Sequence, residues 1–178
     1  YSMSTDSLRF SRWADNLIEL KFNYSDFFLI EKIKIRPHLF FFSLPVSLIA
    51  LCKVIFANQW QLAFLLLNLL LVFFSLIIFV KSLLLIGVRP ILIGLSLPVI
   101  VISVDILIWP KFILSDMIYA FLVLFATYFV IKGIIKNKNY YLELFLIILL
   151  LLASRPASMP VIFIIIFFTL FSNLQILL

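Results

Sequence analysis

The sequence has few of the residues on which soluble enzymes build disulfides, metal sites and charged surfaces. Its 178 residues contain one cysteine, Cys52, and one histidine, His38. A single cysteine cannot form an internal disulfide or a cysteine-based metal site, and a single histidine cannot form a histidine cluster. Only 12% of the residues are charged, and the P-loop, zincin and dinucleotide-binding motifs are absent. These absences argue against the common nucleotide-binding and zinc-dependent enzymes.

Hydrophobic residues take the place of the missing charges. They make up 66% of the chain, including 21 phenylalanines, and the mean hydropathy is +1.29. A soluble domain is roughly half apolar and about a quarter charged, so a soluble core of this length cannot bury so much apolar surface. The Leu and Ile runs also lack the alternation of transmembrane barrel strands. The composition therefore predicts an all-α integral membrane protein, a polytopic bundle of transmembrane helices.

Residues 1–37 are the region of mixed polarity. Apolar residues recur there at helical spacing, at Phe10, Trp13, Ala14 and Leu17. Because charged residues occupy the other side, the pattern predicts an amphipathic helix that starts near Asp6 and lies on the membrane surface. A second short helix is expected from about residue 25, ending before the Arg36-Pro37 pair, since proline disfavours helix in its predecessor.

Six apolar stretches follow this region. They lie at about 38–57, 60–80, 90–108, 113–131, 140–153 and 160–178. A membrane-spanning helix needs about 20 residues, and we expect the last five stretches to cross, the short one at 140 being completed by flanking polar residues. The first stretch contains Pro45 and Lys53, and we expect it to be an external in-plane or re-entrant segment. A true crossing at 38–57 remains the alternative.

Basic linkers between the stretches predict the orientation of the helices. The 81–89 linker has two basic residues and no acid, and the 132–138 linker has three basic residues and no acid. Short basic linkers stay on the cytoplasmic side. We then expect the opposite, external face to contain Asp105, Lys111, Asp116 and Arg155.

Charged residues at the helix ends are the candidates for chemistry. A carboxylate inside a membrane helix costs about 2.5–3.5 kcal/mol on insertion scales, which makes Asp105 and Asp116 functional candidates. Asp116 has an alternative structural role, because Ser115 or Asp116 could cap the following helix. Arg155 either snorkels from its loop or binds phosphate through bidentate hydrogen bonds. Asp6 is either a helix cap or a general base near the external membrane surface.

In their order and spacing, these residues resemble the C-type glycosyltransferase superfamily. The resemblance is carried by four short motifs, Asp6-Ser7-Leu8-Arg9-Phe10, Arg36-Pro37, Leu114-Ser115-Asp116 and Ser154-Arg155-Pro156. The superfamily includes protein O-mannosyltransferases, the lipid A aminoarabinose transferase and the catalytic subunit of oligosaccharyltransferase. The resemblance implies that Asp6 is the catalytic acid of the first external loop and Asp116 the second acidic position. The family commonly has two adjacent acids at this first position, whereas in this chain Ser7 follows Asp6.

The resemblance implies a membrane glycosyltransferase that moves a sugar from a polyprenyl-phosphate donor to an unidentified acceptor. The active site would face outward from a membrane that we expect to be the bacterial cytoplasmic membrane. Asp6 would deprotonate the acceptor hydroxyl, and Arg155, Lys111 and Arg36 would bind the donor phosphate. No cofactor is required, although Asp6 and Asp116 could hold a divalent cation. The expected partners are the lipid-linked donor and membrane lipids, with no nucleic acid.

Two other classes of protein fit the same sequence. A transporter or lipid flippase would carry ions or protons past Asp105, Asp116 and Glu143. Its helices would be broken by glycine or proline in matching halves, and Pro98 is one such residue. A structural subunit of a membrane complex would use the acids only as helix caps. Because the chain begins without methionine and ends inside an apolar run, we expect a fragment of a longer protein.

Overall fold

The computed structural model describes residues 5–30, 34–35, 37–103 and 115–176, with side chains described except at 29–38 and 170–176. In chain order the elements are α1 (Thr5–Glu19), α2 (Tyr24–Phe28), β1 (Leu29–Ile30), β2 (Lys34–Ile35), α3 (Pro37–Phe40), α4 (Ser43–Phe56), a 3-10 turn (Ala57–Gln59), α5 (Trp60–Leu85), α6 (Pro90–Ile102), α7 (Asp116–Lys136), α8 (Tyr141–Leu152) and α9 (Ser158–Ile176). The prediction of an all-α chain is confirmed, with one pair of two-residue strands as the addition.

The amphipathic pattern near the start of the chain forms α1. Phe10, Ala14 and Leu17 are buried, and Trp13 packs partly buried beside them. The Phe10 ring lies 5.3 Å from the Phe42 ring, centroid to centroid, and packs edge to face. The predicted helix and its apolar face are therefore confirmed. The face packs against α4 of the same chain, which buries it without any need for lipid.

The second predicted helix is shorter than expected. α2 ends at Phe28, because β1 and β2 pair antiparallel immediately after it, with Leu29 opposite Ile35. The Tyr24 hydroxyl shares a hydrogen bond of 2.7 Å with the Ser47 hydroxyl on α4. The chain thus turns back against α4 instead of continuing as a helix.

The apolar stretch at 38–57 contains α3 and α4. Pro45 does not interrupt α4, because it stands in the first turn. A backbone N–H at that position has no hydrogen-bond acceptor within the helix, so the N–H that proline lacks is not needed there. α4 has 14 residues, fewer than the roughly 20 that a crossing needs. Its length agrees with an in-plane or re-entrant segment, and that assignment stays a prediction.

Lys53 on α4 contacts both α1 and α5. Its ammonium group donates hydrogen bonds to the Asp15 carboxylate at 2.6 Å and to the Ser11 hydroxyl and carbonyl at 2.8 and 3.0 Å. The same ammonium lies 4.7 Å from the centre of the Trp60 ring on α5. The side chain is 12% exposed. Lys53 therefore interrupts the apolar stretch to contact α1, and its presence does not indicate a segment open to water.

α7 is the helix on which the remaining packing is built. It lies along α5 and also contacts α8 and α9. Ile118, Leu122 and Ala126 form its buried stripe at a spacing of four residues. Near Asp116, at the start of α7, α4 is hydrogen-bonded to the end of α8. The Leu44 N–H donates a hydrogen bond of 2.9 Å to the Ala153 carbonyl. The first turns of α4 and α7 and the end of α8 consequently meet.

Within the described part of the chain, two helical stretches are long and apolar enough to cross a membrane. One is Ser43–Leu85, which joins α4, the 3-10 turn and α5, and the other is α7. The apolar helices Pro90–Ile102, Tyr141–Leu152 and Ser158–Thr169 are shorter, and α6 leads into residues 104–114, outside the described part of the chain. Helix length therefore does not establish the five predicted crossings, and the polytopic bundle stays a prediction.

The outer faces of these helices are apolar. Phe73 on α5, Ile91 on α6, Leu142 on α8 and Phe163 on α9 are each more than half exposed, and many neighbouring large hydrophobic residues are exposed with them. Single exposed leucines are ordinary in soluble proteins, whereas contiguous apolar faces mark membrane or partner surfaces. These faces support the view that the chain is a membrane protein.

We expect Lys53→Met to loosen α1, because Asp15 and Ser11 would lose a charged hydrogen-bond donor. The backbone amides of α1 should exchange hydrogen about tenfold faster than in the unmodified protein, the equivalent of roughly 1.4 kcal/mol. Hydrogen exchange of the full-length protein in detergent measures this. Lys81→Met, at an exposed lysine of α5, serves as the control. Unchanged exchange in Lys53→Met would mean that the apolar face alone holds α1.

Candidate functional site

A single cavity collects three of the predicted site residues. It has a volume of about 160 Å³ and is lined by Asp6, Arg9, Phe10, Trp13, Phe42, Ser115, Asp116 and Arg155. These residues come from α1, from the approach to α4, from the start of α7 and from the loop between α8 and α9. The cavity lies where the packing of α7 brings these elements together. Asp6, Asp116 and Arg155, distant in sequence, are therefore neighbours in the fold.

One wall of the cavity is a stripe along α1. Asp6, Arg9 and Trp13 follow one another at spacings of three and four residues, which places them on the same side of a helix. Arg9 Nη1 lies 3.6 Å from Asp6 Oδ1, and the two side chains are 63% and 61% exposed. An exposed ion pair of this kind contributes little to stability. The Asp6 carboxylate consequently faces the cavity and is held only weakly by Arg9.

The opposite wall carries an ion pair between Asp116 and Arg155. Arg155 Nη1 donates a hydrogen bond to Asp116 Oδ1, and the pair is partly buried. The neighbouring Ser115 is buried but makes no side-chain capping hydrogen bond to α7. The first-turn position of Asp116 suits the positive end of the helix dipole. Its carboxylate, however, binds Arg155, so capping does not fully account for this residue.

The loop that carries Arg155 is held in place by short polar contacts. Ser154 and Ser158 are buried, and their hydroxyls donate to the carbonyls of Leu151 and Arg155 at 2.8 and 2.6 Å. The Tyr119 hydroxyl of α7 donates a hydrogen bond of 3.3 Å to the Ala157 carbonyl in the same loop. Arg155 therefore points into the cavity from an ordered loop. This geometry differs from that of an arginine that snorkels toward water.

Among the residues that the structure describes, the charges around the cavity balance, with two carboxylates and two guanidinium groups. A guanidinium carries several N–H donors in a planar fork, so the bond from Arg155 to Asp116 leaves donors for a phosphate or carboxylate ligand. The site thus combines a weakly held carboxylate, able to accept a proton, with a guanidinium able to bind an anion.

The same residues fit a resident divalent cation poorly. Among the residues that the structure describes, no group of three or more His, Cys, Asp or Glu side chains could hold a metal ion. Asp6 and Asp116 each face an arginine, whose positive charge opposes a cation bound between them. These ion pairs therefore disfavour a resident cation, while the remaining N–H donors of Arg155 are suited to an anion.

The remaining candidate residues include three outside the described part of the chain and one within it. Lys111 and Arg36, the further predicted phosphate ligands, fall outside the described residues, as does Asp105. Glu143 is exposed in the first turn of α8, at the opposite end of that helix from Arg155. It does not line the cavity of Asp6 and Asp116.

Five of the described residues that line the cavity were not among the predicted site residues. They are Arg9, Phe10, Trp13, Phe42 and Ser115, the last considered only as a helix cap. Helical spacing from Asp6 was a usable signal for the three on α1, since they lie one to two turns further along the same side. Phe42 has no comparable signal, because it reaches the cavity through a long-range contact between α1 and the start of α4.

No protein-family model, curated protein or solved structure matches this chain. The resemblance to C-type glycosyltransferases therefore depends on the order and spacing of its short motifs. The evidence for function is the chemistry of the cavity and the apolar helices around it.

We expect Asp116→Asn and Arg155→Gln to be coupled in a double-mutant cycle of thermal stability. The coupling should be about 1 kcal/mol, because the pair is only partly buried and water screens it. The Asp6→Asn and Arg9→Gln cycle is a matched control, and its more exposed, longer pair should give a coupling near zero. Equal couplings in the two cycles would contradict the structural distinction between these pairs.

Proposed function

We propose that this chain belongs to a membrane glycosyltransferase that moves a sugar from a lipid-phosphate donor to an acceptor hydroxyl. The observation that carries the proposal is the common cavity of Asp6, Asp116 and Arg155. A candidate base and a candidate phosphate ligand face each other there, beside helices with apolar outer faces. The resemblance to the C-type superfamily suggests a polyprenyl phosphate as the lipid.

In this proposal Asp6 is the general base. Its carboxylate accepts the proton of the acceptor hydroxyl while the hydroxyl oxygen attacks the anomeric carbon of the sugar. The bond from the anomeric carbon to the donor phosphate breaks, and its electron pair leaves with the phosphate oxygen. The 3.6 Å separation from Arg9 supports this role, because a carboxylate without a tight partner keeps its lone pairs for a substrate.

Arg155 stabilises the departing phosphate in the same scheme. Preorganised donors aimed at a developing negative charge lower the barrier to its formation, and Arg155 is held in position by its ordered loop. Asp116 orients the guanidinium through their ion pair. Lys111 and Arg36 stay candidates for further phosphate contacts. No step requires a divalent cation.

We place the cavity at the external end of a polytopic bundle in a bacterial cytoplasmic membrane. α7 starts at the cavity with Asp116 and ends at Lys136, within the basic 132–138 segment. Its 21 residues extend for about 31 Å, close to the roughly 30 Å of the hydrocarbon layer. Because short basic linkers stay on the cytoplasmic side, the cavity at the other end would face outward.

A transporter is the second candidate, and one feature favours it. Pro98 lies inside α6, and proline-broken helices are typical of transporters. Their binding sites, however, lie near the bilayer midplane, whereas Asp116 stands at the first turn of α7. Glu143 is at the far end of α8 from the cavity. The position of the charged residues at a helix end therefore supports the glycosyltransferase more strongly.

Asp6→Asn should reduce sugar transfer by about 100-fold or more while the protein is still inserted at normal levels, because an amide cannot accept the proton. The assay follows labelled sugar from a panel of polyprenyl-phosphate sugars in membranes containing the full-length protein. Asp26→Asn, at an exposed acid hydrogen-bonded to Asn23, is the control. Transfer retained in Asp6→Asn would remove Asp6 as the base. No transfer by the unmodified protein from the whole panel would reject the proposed activity.

Single cysteines should show that α1 and the Arg155 loop share one side of the membrane. Asn16→Cys and Ala157→Cys are exposed positions on these segments, and Lys138→Cys is exposed on the basic linker. In a Cys52→Ala background of the full-length protein, we expect an impermeant thiol reagent to label the first two from outside and the third only after permeabilisation. Labelling of residues 16 and 157 from opposite sides would be incompatible with a shared site.

A further inference from the structure

A second, larger cavity opens beside the first. Its volume is about 390 Å³, and it is lined by Thr5, Leu8, Arg9, Arg12 and Trp13. Arg9 and Trp13 line both cavities. In the residues that the structure describes, the two cavities differ in charge, because the first contains two acids and two arginines, whereas the charged residues lining the second are both arginines.

Helix geometry separates the second cavity from the core. Thr5, Arg9 and Arg12 follow at spacings of four and three residues, so they form one stripe along α1. All three are exposed, while the buried stripe of Phe10 and its apolar neighbours packs toward α4. The second cavity therefore faces away from the helices and their apolar surfaces. A polar molecule would reach it without passing through lipid.

The lining chemistry fits an anionic group attached to a flat or ring-shaped body. Guanidinium groups one helical turn apart can donate several hydrogen bonds to one phosphate or carboxylate. Arg9 lies 3.6 Å from Asp6, beyond ordinary hydrogen-bond length, so an anion would meet little competition for it. The half-buried indole of Trp13 adds a flat amphipathic wall between the two cavities.

We propose that the second cavity is the acceptor subsite, and that the acceptor carries a phosphate or carboxylate in addition to the hydroxyl that receives the sugar. Its role as an acceptor subsite rests on the proposed glycosyltransferase function. The anionic group binds Arg9 and Arg12, and the hydroxyl extends past Trp13 to Asp6. Arg155 is then left for the phosphate of the donor, so each of the two anions has its own guanidinium partners.

Glucose 6-phosphate and glucose are suitable probes, because both carry hydroxyls and only one carries an anionic group. Binding to the full-length protein in phosphatidylcholine nanodiscs is measured by calorimetry. We expect the phosphorylated sugar to bind more tightly than glucose. Arg12→Gln should weaken its binding about tenfold, and Arg12→Lys should weaken it less, because a lysine keeps the charge but loses the planar fork.

Lys21→Gln is the matched control, since it removes one positive charge from an exposed residue just after α1 that does not line the cavity. Its binding of glucose 6-phosphate should equal that of the unmodified protein. Equal weakening by Arg12→Gln and Lys21→Gln would show a response to net charge alone and would overturn the site. Competition by phosphatidylglycerol in the nanodiscs, dependent on Arg12, would instead assign the cavity to lipid headgroups and overturn the acceptor assignment.

Transfer assays separate the two proposals. If the protein transfers sugar to glucose as efficiently as to glucose 6-phosphate, the acceptor assignment is wrong while the glycosyltransferase stands. If no donor supports transfer but glucose 6-phosphate binding still depends on Arg12, the glycosyltransferase and the acceptor assignment both fall and only the anion site stands. Faster transfer to glucose 6-phosphate, lost in Arg12→Gln, is the expected result.

Discussion

The docking of α1 on α4 is the contact on which both cavities depend. Its apolar part is the buried side of α1, and its polar part is the ammonium of Lys53, which binds Asp15 and Ser11. A charge in a mainly apolar chain is costly to bury unless it is paired and hydrogen-bonded. Lys53 meets both conditions only when α1 lies across α4. That position sets where Asp6, Arg9 and Arg12 stand.

Because charged residues are scarce, the few contacts between them are important for the structure. Only 12% of the residues are charged, and Arg155 meets Asp116 where the first turn of α7 approaches the loop after α8. The buried Ser154 and Ser158 of that loop hold Arg155 in place by donating hydrogen bonds to the Leu151 and Arg155 carbonyls. Apolar packing of α7 against its neighbours therefore determines where an anion-binding group and a carboxylate meet, while their own pairing keeps them oriented.

Much of the local structure could be predicted, because hydropathy and helical period depend on neighbouring residues. The all-α class and the apolar face of α1 follow from such patterns. Asp116 and Arg155 could be selected as candidates because charges are rare among apolar runs, whereas Asp6 was selected by its position at a helix start and by the resemblance to C-type glycosyltransferases. Predictions that depended on distant contacts were less successful. The role of Lys53 was missed because its partners lie on α1, and α2 ends early because β1 finds a partner strand.

Amino-acid order alone is sufficient to establish a helical chain with apolar surfaces and a few charged helix ends, because each of these properties is local. The resemblance to C-type glycosyltransferases adds an expectation about which charged residues act together. Packing of distant segments selected the actual set, bringing α1, the start of α7 and the Arg155 loop around one cavity and adding Arg9, Trp13 and Phe42 to it. No local pattern contains that information, since it depends on how whole helices bury their faces against one another.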